Sequence, residues 1–403
     1  MLERIRFRRW WQPPRTTSAR PEERRVTFLE LFYDLVYVVI IAELSHALAE
    51  HISLAGIGTF VFLTIIVWWG WFNGAMYHDV HGNNDIRTRV FTFMQMFTVA
   101  AMAVFAHNAL GEGSVGFALS YAAFHLILTW LWWRTGVFDP NHRPLAQPYA
   151  ITFLITSLLF IVSIVVPVPW RFILWGVGLL IDLAFLLLIV TRTNAAIQAQ
   201  LNRVLLISPS AVERFGLFTI IVLGEVIVGV VGGVAGHPEL SWLVGGTAAL
   251  GMVIAIGLWW VYFDFVSGRP PIARPATSLA WIYLHLPVSV GIAAVGAGVL
   301  HVVEHAGEPL PSDVRWLLVG AVTAVLVSIA LIVRLLDIPA SYRRLYWNGS
   351  ILMWIAGILV VVFGLTPIDP GLLLLALCAL LLAPVFYGVL VWIKVFEARE
   401  IEL

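Results

Sequence analysis

The sequence predicts an all-α membrane protein of about twelve transmembrane helices with a six-plus-six internal repeat. Three observations carry this. Of 403 residues, 60% are hydrophobic and 12% charged, where a soluble domain has about 25% charged; mean hydropathy is +0.91. Apolar runs of about twenty residues, the length that spans a bilayer, recur along the whole chain. All but two of the 24 Lys and Arg residues fall in alternate connections.

Taken in order, the spans lie near 28–50, 57–77, 90–110, 114–133, 149–168, 170–191, 211–234, 241–266, 279–304, 314–336, 345–365 and 370–395. The division between the fifth and sixth rests on PVPWR alone. With the N-terminus in the cytoplasm, only Arg171 and Arg315 fall outside. Positively charged connections stay in the cytoplasm, so both termini are expected there. The expected organisation is a basic cytoplasmic tail (1–27), a first six-helix half (28–192), a cytoplasmic linker (193–210), a second half (211–395) and a short cytoplasmic tail (396–403). The first tail holds no apolar core of a cleavable signal. It reads as a topogenic flank, with an anionic lipid surface as the alternative partner. The single cysteine, Cys378, excludes a disulfide within the chain.

Repetition supports the two halves. Trp69, Trp71, Phe72 and Asn73 match Trp260, Tyr262, Phe263 and Asp264 at one constant offset. Glu30-Leu-Phe32 opens the first span and Glu213-Arg-Phe215 the seventh, and each has a further glutamate, Glu43 or Glu225. An even number of spans per half gives both halves one orientation, as in parallel-repeat transporters. A pathway between spans 1 and 7 follows from that arrangement.

The first span carries more charge than a lipid-facing helix tolerates. An acid at the centre of a spanning helix costs roughly 2.5–3.5 kcal/mol. At about 100° per residue, Glu30, Asp34 and Tyr37 share one face, and Glu43, His46 and Glu50 share the opposite one. Glu43 and His46, three residues apart, form an expected protonation pair. Candidate pathway or proton-binding residues are therefore Glu30, Asp34, Glu43, His46, Glu213, Glu225 and His285, the last beside Pro287. Arg214, Asp182 and Asp264 are secondary candidates. The structural alternative is that these acids are neutral, or paired with Arg214, Arg25 or helix N-termini, and fasten helices together. Polar groups elsewhere in the spans include Gln95, His107, Asn108 and His125.

Two clusters imitate metal sites. His301-Val-Val-Glu304-His305 matches a short zinc-protease pattern, and it reads as a polar helix end. His78, Asp79, His81 and Asp85 read as a solvated turn before Gly82-Asn83-Asn84. No phosphate loop, nucleophile elbow or dinucleotide fingerprint is present. Metal, cofactor and nucleic acid are not expected, and the reading leans away from an enzyme.

Three strings, LELFYDLVYV (29–38), ERFGLFTIIVLGE (213–225) and YLHLPVSVGIAAVG (283–296), together resemble the bacterial low-temperature-requirement A family of integral membrane proteins. The residues that match are Glu30, Phe32, Asp34, Glu213, Arg214, Phe215, Glu225, His285 and Pro287. Val226 stands where the family usually has serine, and the position of Glu43 is often an amide there. The resemblance implies a class of membrane protein and no chemistry. The lead expectation is a secondary transporter or permease of a small molecule or ion, coupled to protons. A channel or membrane sensor is the alternative, followed by an intramembrane enzyme or metal protein acting on lipid or envelope precursors. The oligomeric state stays open.

Overall fold

The computed structural model describes residues 12–15, 25–191 and 207–401, with the side chains of 190–191, 392 and 394–401 left out. Most of the basic tail, most of the linker and the last two residues lie outside the described residues. Twelve helices run in chain order: α1 Phe28–Glu50, α2 Leu54–His81, α3 Ile86–Ala106, α4 Ser114–Phe138, α5 Arg143–Ser163, α6 Trp170–Thr191, α7 Pro209–Ala235, α8 Trp242–Phe265, α9 Pro275–Glu304, α10 Ser312–Leu335, α11 Ala340–Gly364 and α12 Pro370–Ile401. Among the described residues the only β pairing is an isolated bridge, Pro271 to Leu336.

Eleven of the twelve are long and apolar enough to cross a membrane. The exception is α1, whose 23 residues span about 34 Å at 1.5 Å per residue. That length suffices, and α1 carries four acids, Glu30, Asp34, Glu43 and Glu50. The doubtful break between the fifth and sixth spans is real, because α5 stops at Ser163 and α6 starts at Trp170. Arg171 holds that end by donating to the carbonyls of Ser163 (3.1 Å) and Ile164 (2.9 Å) and to Ser114 Oγ (2.6 Å). The last carbonyls of a helix lack intrahelical donors, and a guanidinium supplies them.

The chain divides into two compact units. One holds the described residues within Met1–Leu44, Leu63–Arg214 and Ala273–Leu279; the other holds Ser45–Phe62, Phe215–Ile272 and Ala280–Leu403. In the first unit α3, α4, α5 and α6 pack in sequence order. Its core is aromatic: Trp68, Trp69, Trp71, Tyr33, Tyr37, Tyr121, Phe117, Phe124 and Trp175 are fully buried. Trp175 stacks on Phe117 and Phe160. In the second unit α10 packs on α11, α11 on α12, and α12 on α8. There α7 and α9 approach very closely: a Cβ on Gly296 would lie 2.8 Å from the Glu225 carbonyl, and one on Gly229 would overlap the Gly296 carbonyl. Small residues let membrane helices approach in this way.

Large apolar side chains cover outer helix faces, among them Phe97 (76% exposed), Val104 (77%) and Trp242 (99%). Water would penalise so much exposed hydrocarbon, and lipid does not.

The second metal-like cluster requires a correction. His78, Asp79, His81 and Asp85 are not a solvated turn; all are at most 4% exposed. Helix α2 continues past residue 77 and carries the first three of them to its end at His81. His78 Nε2 lies 2.8 Å from Gln95 Oε1. Asp79 accepts from Ser208 (2.8 Å) and from Ser210. Asp85 caps α3, accepting from Thr88 N at 3.1 Å, and also takes the Gln12 amide at 2.8 Å. His81 Nδ1 meets the Arg15 carbonyl at 2.9 Å. The segment Gln12–Arg15 and the start of α7 thus supply partners that replace water.

Candidate functional site: a buried carboxylate–guanidinium centre

In the first unit, α1, α2 and the first turns of α7 bring charged groups together. Asp34 is 0% exposed and Arg214 3%. Arg214 Nη2 donates to Asp34 Oδ1 at 2.8 Å, and Arg214 Nε lies 3.1 and 3.0 Å from Oδ1 and Oδ2. Trp71 Nε1 donates to Oδ1 at 2.7 Å. The remaining guanidinium nitrogen, Nη1, donates to the Ala75 carbonyl at 3.2 Å and lies 3.8 Å from Glu30 Oε1. The guanidinium carbon sits 5.1 Å from the Tyr33 ring centre, a cation–π distance. Removing two charges from water is costly, and their attraction offsets it only when the remaining donors and lone pairs are satisfied.

Glu30 has a second task. Thr27 and Glu30 form a capping box at the start of α1: Glu30 Oε2 accepts from Thr27 N (2.9 Å) and Thr27 Oγ1 (3.0 Å), and the Glu30 amide points back at Thr27 Oγ1 (3.4 Å). This satisfies orphan donors at the helix start. The T-x-x-E pattern is visible in the sequence, where the reading of Glu30 as a pathway residue passed over it.

A cavity of about 620 Å³ meets this centre at Glu30 and is lined also by Phe32, Arg15, His78, Asn83 and Thr92 among others; Asp34 and Arg214 do not line it. Tyr33 packs against α2. Its hydroxyl meets that of Tyr37 at 3.1 Å and occupies the place a Cβ on Gly74 would take. Gly74 is therefore required by close approach.

The other candidates fall elsewhere. Glu213 is exposed and accepts weakly from the Val26 amide at 3.3 Å. Glu43 is half-buried and His46 exposed; the side-chain hydrogen bonds and ion pairs among the described residues include neither. In the second unit Glu225 is 4% exposed at the α7–α9 crossing. His285 is buried in α9, with Nδ1 2.7 Å from the Trp281 carbonyl and Nε2 3.1 Å from the Tyr262 hydroxyl. That pattern fits a neutral ring donating from Nδ1 and accepting at Nε2. Asp264 is exposed and lines a second cavity, of about 340 Å³, with Arg269 and Tyr346. Asp182, 2% exposed, meets His125 and Thr156 in the first unit. His301 and His305 stack at 4.3 Å, and His305 Nδ1 meets the His301 carbonyl at 3.0 Å.

Among the described residues, twelve helices with lipid-compatible faces and buried charge define a polytopic α-helical membrane protein. The sequence profile described as bacterial low temperature requirement A protein (LtrA) matches residues 25–391, and the chain belongs to that family. An uncharacterized protein of Rhizobium meliloti (strain 1021) is 25% identical over 292 residues, covering 69% of each chain. No solved structure matches.

Proposed function

We propose that the protein is a secondary transporter or permease of a small molecule or ion, coupled to protons, in the bacterial cytoplasmic membrane with both termini cytoplasmic. The observation that carries this reading is the Asp34–Arg214 pair, buried in the first unit beside a cavity that Glu30 lines. Intramembrane charges are costly and mark substrate or ion pathways. A pair with one partner on α1 and one on α7 can exchange its charge partner. A proton or a cationic substrate that reaches Asp34 releases Arg214 to Glu30, which already lies 3.8 Å from it. Glu225 and His285 serve the second half of the six-plus-six arrangement, and Glu213 and Asp264 the ends of their helices. Glu43 and His46 serve the opposite end of α1.

The test is proton movement in proteoliposomes under an imposed membrane potential, read with a trapped pH dye. Loss of flux in Asp34→Asn and Glu225→Gln, with folding intact, supports the reading. Unchanged flux in both removes these residues from the mechanism. Stepwise single-channel currents in planar bilayers would favour the channel alternative.

A further inference from the structure

We infer that His125, Asp182 and Thr156 form a buried proton-binding site inside the first unit, separate from the Asp34–Arg214 centre. It extends the proton coupling proposed above to a second place, and its test reads the proton itself, so it stands or falls apart from transport.

His125 is on α4, Thr156 on α5 and Asp182 on α6, and they are 0%, 0% and 2% exposed. His125 Nδ1 lies 3.2 Å from the Tyr121 carbonyl, which can only accept. Nδ1 therefore carries a hydrogen. His125 Nε2 lies 3.1 Å from Asp182 Oδ2. A neutral imidazole whose hydrogen is on Nδ1 presents a lone pair at Nε2. An ionised carboxylate would set a second lone pair against it. One more proton must lie between Nε2 and Oδ2, giving either imidazolium with carboxylate or imidazole with carboxylic acid.

The Thr156 hydroxyl lies 2.8 Å from Asp182 Oδ1 and 3.4 Å from the Gly178 carbonyl. Donating to the nearer oxygen, Oδ1, it leaves Oδ2 to share the proton with His125. His285 shows the contrast: its Nε2 faces a tyrosine hydroxyl, which supplies its own hydrogen, so no extra proton is needed there.

The ion pair of Asp182 is with His125, and no Arg or Lys joins it among the described residues. The titratable group facing the site on α4 is Tyr121, its ring centre 4.2 Å from that of His125. Its hydroxyl is buried without a hydrogen-bond partner among the described residues. Across Gly70 of α2, Tyr37 of α1 approaches: a Cβ on Gly70 would lie 3.8 Å from both the Tyr121 ring and the Tyr37 hydroxyl. Phe153 of α5 and Phe124 of α4 close other sides. Tyr37 in turn bonds Tyr33 beneath Arg214. A row of phenols thus extends from the proton site toward the charged centre.

The experiment is nitrogen NMR of histidine-labelled protein in lipid bilayers at about pH 7, where an ordinary histidine is mostly neutral. His125 is assigned by subtracting the His125→Gln spectrum, and the carboxylic-acid infrared band is recorded in parallel. The expected result is an imidazolium at His125, or an Nδ1–H imidazole together with an acid band that Asp182→Asn abolishes. If Asp182→Asn does not fold, Thr156→Val shifts the same band by removing the hydroxyl on Oδ1. An Nε2–H imidazole, or a neutral ring with no acid band, overturns the proposal.

Discussion

Arg214 holds Asp34 through two guanidinium nitrogens, Nε and Nη2, with contacts of 2.8–3.1 Å. The two residues lie far apart in the sequence, one in the first turns of α7 and the other in α1. Trp71 adds a donor to the carboxylate and Ala75 an acceptor to the guanidinium. Such a pair contributes little net stability compared with well-packed apolar residues, yet losing one partner is severe.

Arg214→Ala and Asp34→Ala are accordingly expected to lower stability by about 3–5 kcal/mol each. The double variant Asp34→Leu/Arg214→Met, which removes both charges and keeps volume, recovers most of that loss. Denaturant unfolding in detergent reads the cycle. A double variant as unstable as the sum of the singles would show that the pair is not the source of the cost.

The capping box gives a smaller effect. Thr27→Ala removes the side chain that caps α1 and is expected to cost about 1 kcal/mol. Thr27→Ser keeps the hydroxyl and is expected to be close to neutral. The melting temperatures of the two variants decide it, and equal loss in both would assign Thr27 another role.

Gly74→Ala places a methyl on the Tyr33 hydroxyl. Overpacking of this kind costs about 1–3 kcal/mol. Adding Tyr33→Phe removes the clashing oxygen and is expected to recover part of the loss. A double variant no more stable than Gly74→Ala alone would contradict the contact.

His142 lies in the turn before α5, outside the spans. Burial pushes its imidazole below the ordinary range, and Asp139 opposes this in part. Both ring nitrogens are buried without a hydrogen-bond partner among the described residues. The unfolded chain takes up a proton near pH 6.5 while the folded chain resists it. Stability is therefore full above about pH 6.5 and falls as pH drops toward the folded value. Melting temperatures over that range are expected to show the fall in wild type and less of it in His142→Gln; identical profiles would contradict it.

The spans were readable because a bilayer demands long apolar runs, and alternating Arg residues gave their number. The capping box was readable too, since Thr27 and Glu30 are three residues apart. Partners distant in sequence were not. Asp79 finds Ser208 and Ser210, and His125 finds Asp182, only after the helices pack. Spacing alone drew attention instead to Glu43 and His46, whose half-buried and exposed positions on α1 depend on what packs beside them. Arg214 is a readable partner for the acids of the spans, because few cations lie near them; that the acid it takes is Asp34 came from the fold.

The most direct test compares proton flux in proteoliposomes of wild type, Asp34→Asn and the volume-conserving Asp34→Leu/Arg214→Met pair, each checked for folding. The expected result is a folded double variant whose flux falls to that of protein-free liposomes. Wild-type flux from a folded protein lacking both charges would contradict the assignment of Asp34 and Arg214 to the transport pathway.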